Sequence, residues 1–314
     1  MWDFSRGLSF LRRGKRILLA RNYKLFILPR QYECIWFVIL NTQEHIVKRK
    51  PEIRRKRSVP PNKKAITLWD QASRWYDTLV GSQGTNFQKD IIMPGVFEML
   101  SPKKGDRILD LACGQGVFSR FLSQKGMHVE GLDSSAELIN HAKSRSNSKI
   151  RFRVGDVADS KNFAKDRFDG MACLMAIQNI ENMEALFENA AIGLKPQGHI
   201  VVVMTHPCFR IPRQTHWGWD DEKKIEYRRV DHYRTKTNVP ILTPPFADED
   251  SFTLTYHRPL ESYVVALSSA GFAIDGLEEW ISNKKSQPGK RAKAENRSRK
   301  EIPLFLALRA KLIA

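Results

Sequence analysis

The chain has 314 residues, 42% of them hydrophobic, enough to bury the core of one large domain or two small ones. Its net charge of +18 is uneven: residues 1–64 hold 17 Lys and Arg against 4 Asp and Glu, residues 283–300 hold 8 against 1, and the remainder is close to neutral. No run of about 18 apolar residues occurs, so no membrane span is expected, and a protein dedicated to nucleic acid would usually carry its positive face on the working body. Four cysteines (Cys34, Cys113, Cys173, Cys208) form no CxxC pair, so neither a structural zinc nor a disulfide framework is expected. A reducing, cytoplasmic setting is the default.

Residues 1–64 form a basic leader with little periodicity, containing "RRGKR" and "KRKPEIRRKRSVPPNKK". Three readings compete: a solvated, disordered leader, an Arg-rich organelle-targeting peptide, and an arm for nucleic acid or an anionic membrane. From residue 65 to 314 the pattern is that of a folded domain. "ITLWDQASRWYDTLV" places Leu68, Ala72, Trp75 and Leu79 at helical spacing, and "IIMPGVFEML" is a second short helix. An alternation follows. "RILDLAC" is a buried strand, "GVFSRFLSQKG" a helix, "HVEGLD" a strand, "SSAELINHAKSRS" a helix and "IRFRVGD" a strand. "FDGMACLMA" is a strand, "NMEALFENAAIGL" a helix and "HIVVVMT" a strand. Strands separated by helices of this length predict right-handed crossovers and a doubly wound parallel α/β sheet.

After Thr205 the alternation stops. Residues 206–256 are rich in aromatics, Pro, His and Arg, and an insert of that length is usually functional. The fold then resumes with a helix in "PLESYVVALSSAGF", a strand in "AIDGLEEW" and a last strand in "PLFLALRAKL"; the basic stretch 283–300 lies between those two strands.

The turn after the first strand carries the chemistry. Asp110 ends the strand, and Gly114 and Gly116 follow, allowing positive φ and close approach of a ligand to a helix N-terminus. The dinucleotide pattern G-x-G-x-x-G is incomplete, because Ser119 stands at its third position. Asp110, Asp133 and Asp156 end three successive strands and face one crevice at the switch point of such a sheet. Three carboxylates without a basic residue do not suit a phosphate ester. They suit ribose hydroxyls, an adenine amine and a cationic amino-acid end, which together describe S-adenosylmethionine.

On these residues the chain resembles the class I S-adenosylmethionine-dependent methyltransferases, in the style of the type 11 group that includes quinone-biosynthesis methylases. The matching segments are "LDLACGQG", "EGLDSS", "VGDVAD", "FDGMACLMAIQNI" and "LKPQGHIVVV". The resemblance implies a Rossmann-like, mainly parallel seven-stranded sheet with an antiparallel last strand and helices on both faces. It implies that Asp110, Ala112, Gly114 and Gly116 line the methionine end, that Asp133 with Ser134 binds ribose, and that Asp156 and Val157 hold adenine. Met175 to Gln178 would pass under the sulfonium, and Tyr76, with Trp75, would close over the cofactor. Ala112 stands where the family usually has its first glycine.

The acceptor is less legible. The [DN]PP[YF] signature of exocyclic-amine methylases is absent, since that place reads "AIQNIE". "HPCFRIPRQTHWGW" leaves the fifth strand at the carboxyl edge and is the expected substrate wall. His206 and His257 are candidate bases, because imidazole titrates near neutrality. Arg210 and Arg213 can grip an anionic group, and Trp217 and Tyr233 can stack on an aromatic one. A small-molecule acceptor is the first expectation; an RNA substrate held by the basic segments, or a non-catalytic partner subunit, is the alternative.

Overall fold

The computed structural model describes residues 67–242 and 252–313. The basic leader, with Cys34, lies outside the described residues. A seven-stranded sheet forms the frame, with β1 (Arg107–Leu111), β2 (His128–Asp133), β3 (Arg151–Val154), β4 (Phe168–Leu174), β5 (Leu194–Thr205), β10 (Phe272–Trp280) and β11 (Phe305–Leu312). Their order is β10-β11-β5-β4-β1-β2-β3. β1 to β5 pair in parallel, while β11 runs antiparallel to both β5 and β10.

Two-sided burial explains the near-continuous apolar strands. On β1, Ile108 faces one core and Leu109 and Leu111 the other; on β5, Val201 and Val203 face the first, Ile200 and Val202 the second. The first core is covered by α2 (Met93–Leu100), α3 (Val117–Gln124) and α4 (Ala136–Ser144), the second by α5 (Met183–Gly193) and α6 (Leu260–Ser269). Gly116 opens α3 at φ 74°, and a Cβ there would stand 2.6 Å from the Phe152 ring. The turn therefore needs glycine for backbone conformation and for packing.

The leading helix α1 (Leu68–Val80) lies against α4 and is fastened at both ends. Thr67 and Asp70 form a reciprocal capping box. The second oxygen of Asp70 accepts from Ser135 Oγ at 2.6 Å and from the Glu137 N–H at 3.1 Å. Further along, Asp77 takes the Arg145 guanidinium, with one bond at 2.6 Å. After α1 the chain passes through one π-helical turn, Gln88–Ile92, directly into α2.

The insert is not the irregular excursion that its composition suggests. It forms two antiparallel hairpins, β6 (Thr215–Asp220) with β7 (Ile225–Val230), and β8 (Thr237–Leu242) with β9 (Phe252–His257). The first turn is built on a carboxylate: Asp220 Oδ1 accepts from the N–H groups of Glu222 and Lys223 at 3.0 and 2.9 Å. The basic stretch also holds a helix, α7 (Ala292–Glu301). α7 docks on the first hairpin through Ser298 Oγ, which donates to the Glu226 carbonyl at 2.8 Å, and Arg291 lies 4.6 Å from the centre of the Trp219 ring. Among the described residues no helix is long and apolar enough to cross a membrane.

Candidate functional site

A cleft runs along the carboxyl ends of β1, β2, β4 and β5. One half is lined by Ala112, Ser134, Asp156, Val157, Asn179 and Glu181 among others. The other half is a chamber partly open to solvent. Its polar end carries Ala112, Gly114, Asp133 and Ser134, and its apolar end Trp69, Phe87, Ile92, Leu174, Leu304 and Phe305. Ala112, Ser134, Asn179 and Ile180 border both halves.

At the polar end, Asp133 is nearly buried and accepts two backbone bonds of 2.8 Å, from Gly114 N–H at Oδ2 and from Ser135 N–H at Oδ1. Each oxygen keeps a lone pair for a ligand hydroxyl. Burial pushes its carboxyl up to about 6. Behind it, Asp110 accepts from Ser119 Oγ at 2.5 Å; burial, with the nearby charge of Asp133, pushes it up to about 7. Asp156 is exposed, and its Oδ1 caps the Ala158 N–H at 2.9 Å. Two non-glycine residues in the cleft wall have left-handed backbone, Ala112 at φ 52° and Met175 at φ 56°. Such strain collects where surrounding structure enforces a functional turn. Burial raises the Tyr76 hydroxyl to about 12, and its ring meets Trp69 edge-on at 5.5 Å.

The sequence-predicted residues divide cleanly. Ala112, Gly114, Asp133, Ser134, Asp156, Val157, Met175 and Tyr76 meet in the cleft. Asp110 and Gly116 stand behind it as supports. Gln178 is turned away: its amide brackets Thr205, donating to Oγ1 at 3.0 Å and accepting from the N–H at 3.3 Å. Trp75 does not line the cleft; Trp69, one α1 face earlier, takes the place expected of it.

The expected substrate wall is corrected more thoroughly. None of His206, His257, Arg210, Arg213, Trp217 and Tyr233 lines the cleft. His206 is buried, with Nδ1 accepting from the Cys208 N–H at 3.2 Å and Nε2 2.7 Å from Glu279 Oε1 on β10. Both nitrogens are engaged, so neither is free to take a substrate proton. His257 Nε2 donates to the Tyr233 carbonyl at 2.7 Å, and burial holds both imidazoles below their ordinary value. Arg210 and Arg228 both lie 5.1 Å from the centre of the Trp217 ring, and burial, with the Arg228 charge, brings Arg210 down to about 9. Arg213 donates to the Pro240 carbonyl, and the Tyr233 hydroxyl accepts from the Leu260 N–H. These groups hold the insert together. Sequence reasoning missed Trp69, Asn179, Thr205 and Phe305. Trp69 was readable, because it shares a helix face with Tyr76 at a spacing of seven.

A family model described as a methyltransferase domain matches residues 88–238. The crystal structure of an S-adenosylmethionine-dependent methyltransferase from Mesorhizobium loti is 26% identical, with a TM-score of 0.56, covering 69% of this chain and 96% of that one. The chain carries a methyltransferase domain with the fold of S-adenosylmethionine-dependent enzymes. A Listeria monocytogenes structure, 22% identical with a TM-score of 0.54 over 70% of this chain and 97% of that one, shares the fold. Among curated relatives, the methyltransferase is 31% identical over 104 residues to the ubiquinone biosynthesis O-methyltransferase of Xylella fastidiosa, which is 32% of this chain and 42% of the relative. It is 24% identical over 204 residues to the enzyme of the same name from Cronobacter sakazakii, 55% of this chain and 84% of the relative. The match thus spans less than half the length of the Xylella protein.

The cleft fits the cofactor on its own evidence. Among the described residues it offers acids and backbone and no basic residue, which suits a cationic ligand with hydroxyls and an amine. Gly114 has φ 55°, and a Cβ there would stand in van der Waals contact with the Tyr76 ring at 3.4 Å.

Proposed function

We propose that the methyltransferase transfers a methyl group in line to a small, uncharged, largely apolar acceptor, at a hydroxyl or carbon atom. The observation that carries this reading is the lining of the cleft, which among the described residues includes no Lys, Arg or His. A carboxylate or phosphodiester would enter it without a counter-charge, which is costly in an apolar chamber. Relatives named for O-methylation in ubiquinone biosynthesis agree with a small acceptor.

In this reading Asp133 and Ser134 hold the ribose, Asp156 and Val157 the adenine, and the Ala112–Gly114 turn the methionine end, with Tyr76 and Trp69 above. The cofactor supplies an electrophilic methyl group on a sulfonium. The chain's own part is alignment and exclusion of water: Met175 and Leu174 end β4 beside the chamber, and Phe87, Ile92 and Phe305 close it. Among the described residues no imidazole or lysine lines the chamber to serve as a base, which favours an acceptor that is itself nucleophilic or readily ionised.

A second reading, an RNA acceptor, draws on the basic segment. Lys284 lies 5.1 Å from the centre of the Phe87 ring at the cleft, and exposed Lys293, Arg297 and Lys300 follow on α7. One experiment separates the two. Methyl-labelled S-adenosylmethionine is incubated with the protein and a lysate of its source cells. Label in the organic-extractable fraction supports the small acceptor; label lost on RNase treatment overturns it.

A further inference from the structure

Resting on the reading of an apolar acceptor chamber, we infer that Thr205 donates a hydrogen bond from its hydroxyl to an oxygen of the methyl acceptor, and that Gln178 positions it to do so. Thr205 is the last residue of β5 and lines the cleft; on the neighbouring strand Leu174 pairs with Val203, two residues earlier. Its surroundings fix the polarity of its side chain. The Thr205 N–H can only donate, so the Gln178 carbonyl oxygen faces it, at 3.3 Å. The Gln178 N–H₂ therefore faces Thr205 Oγ1, at 3.0 Å, and Oγ1 accepts. A hydroxyl has one proton. With its oxygen already accepting from Gln178, that proton is turned elsewhere, and among the described residues no group accepts it.

Gln178 is held buried while it does this, on the turn that follows β4. A buried amide bonded twice to one residue is a fixed support rather than a ligand contact. The same polarity recurs at Asn179, which borders both halves of the cleft and whose Oδ1 accepts from Thr255 Oγ1 at 3.3 Å on the insert. In both cases the frame takes the oxygen. The Thr205 edge of the chamber thus presents a donor within walls formed by Leu174, Leu304 and Phe305. An acceptor carrying an oxygen lone pair matches that donor. An acceptor that offers an N–H at the same place does not.

The test uses the full chain saturated with S-adenosylhomocysteine and two probes, hexylcatechol and hexylaniline, with affinities read by calorimetry. Thr205→Val should weaken hexylcatechol about tenfold and hexylaniline less than about twofold, whereas Thr205→Ser should keep hexylcatechol within about threefold of wild type. Gln178→Glu replaces the N–H₂ donor by a carboxylate that can only accept; it recaptures the Thr205 proton and should weaken hexylcatechol as Thr205→Val does. Equal weakening of both probes by Thr205→Val would mean that Thr205 only supports the wall, and would overturn the inference. So would unchanged hexylcatechol affinity in that variant, or no hexylcatechol binding by a wild-type protein that still binds S-adenosylhomocysteine. Loss of S-adenosylhomocysteine binding by the wild type would instead strike the reading beneath it.

Discussion

Around the polar part of the cleft, proposed for the cofactor, the walls are backbone turns and carboxylates drawn mainly from residues 112–182. Along the acceptor half they are side chains from α1, the π-helical turn, β4 and β11, brought together from residues 69 to 305. The first half takes its shape from the sheet: each strand ends, the chain turns, and the turn meets the ligand. The second depends also on α1 and the π-helical turn, which are added around the sheet. The difference teaches that a cofactor site can be inherited with a fold while an acceptor site is assembled on it.

Phe305→Ala should break the acceptor half with the largest effect. Phe305 is buried and meets Phe87 edge-on at 5.5 Å, so its truncation should cost about 3–5 kcal/mol of stability by chemical denaturation. Affinity for S-adenosylhomocysteine in the folded variant should move less than about threefold, the size of a distant perturbation. The reciprocal change is Asp133→Ala. It should lower affinity for S-adenosylmethionine more than about a hundredfold, because two charge-assisted bonds to hydroxyls are lost, while the protein remains folded. Unchanged affinity by calorimetry would remove Asp133 from the site.

Asp70→Ala tests the fastening between the halves. It removes a capping box and the bonds to Ser135 and Glu137, and should cost about 1–2 kcal/mol. It should also raise KM for the cofactor, because the same residue steadies the turn after Asp133.

The buried acids give a pH dependence confined to the cofactor half. Asp110 and Asp133 keep their protons up to about 7 and about 6, well above the value of 3.8 for a solvated Asp. As pH rises from about 4 towards 7, the unfolded chain has released protons that the fold retains, so these groups lower stability across that window. Asp110→Asn should flatten the decline in melting temperature over that range. The smallest effect is expected at Ala112. Its left-handed backbone costs an alanine about 1 kcal/mol, and Ala112→Gly should recover part of that, less the entropy a glycine adds to the unfolded chain. A destabilised variant in urea unfolding would show that the methyl group packs usefully.

The sheet was legible because strands buried on both faces read as apolar runs, and β1 to β5 lie where "RILDLAC" to "HIVVVMT" place them. The helix α7 was not, because "AKAENRSRKE" has no apolar stripe; it is held by a serine and by a stacked arginine. The hairpins of the insert were hidden for a related reason. The turn of the first uses Asp and Lys rather than Asn-Gly, and Pro240 sits inside β8 of the second. In the cleft, the residues proposed for the cofactor at the ends of β1, β2 and β3 follow one another closely along the chain, so spacing alone groups them. His206 misled because the direction of the chain after β5 cannot be read from composition: it turns toward β10, where Glu279 meets the imidazole. Phe305 was out of reach for the opposite reason. It is paired with Thr205 across an antiparallel register that no local pattern announces.

The position of β11 has a consequence for how the protein is made. The strand fits between β5 and β10, yet it is translated after both. At about 5–20 residues per second, the ribosome needs on the order of ten seconds to pass from Thr205 to Phe305. Throughout that interval the flank of β5 that β11 will cover, with Val201 and Val203, has no neighbour, and Thr205 faces an unfinished wall. The nascent chain thus holds the turn after β1 well before it can enclose an acceptor, and the edge of β5 stays open until β11 arrives.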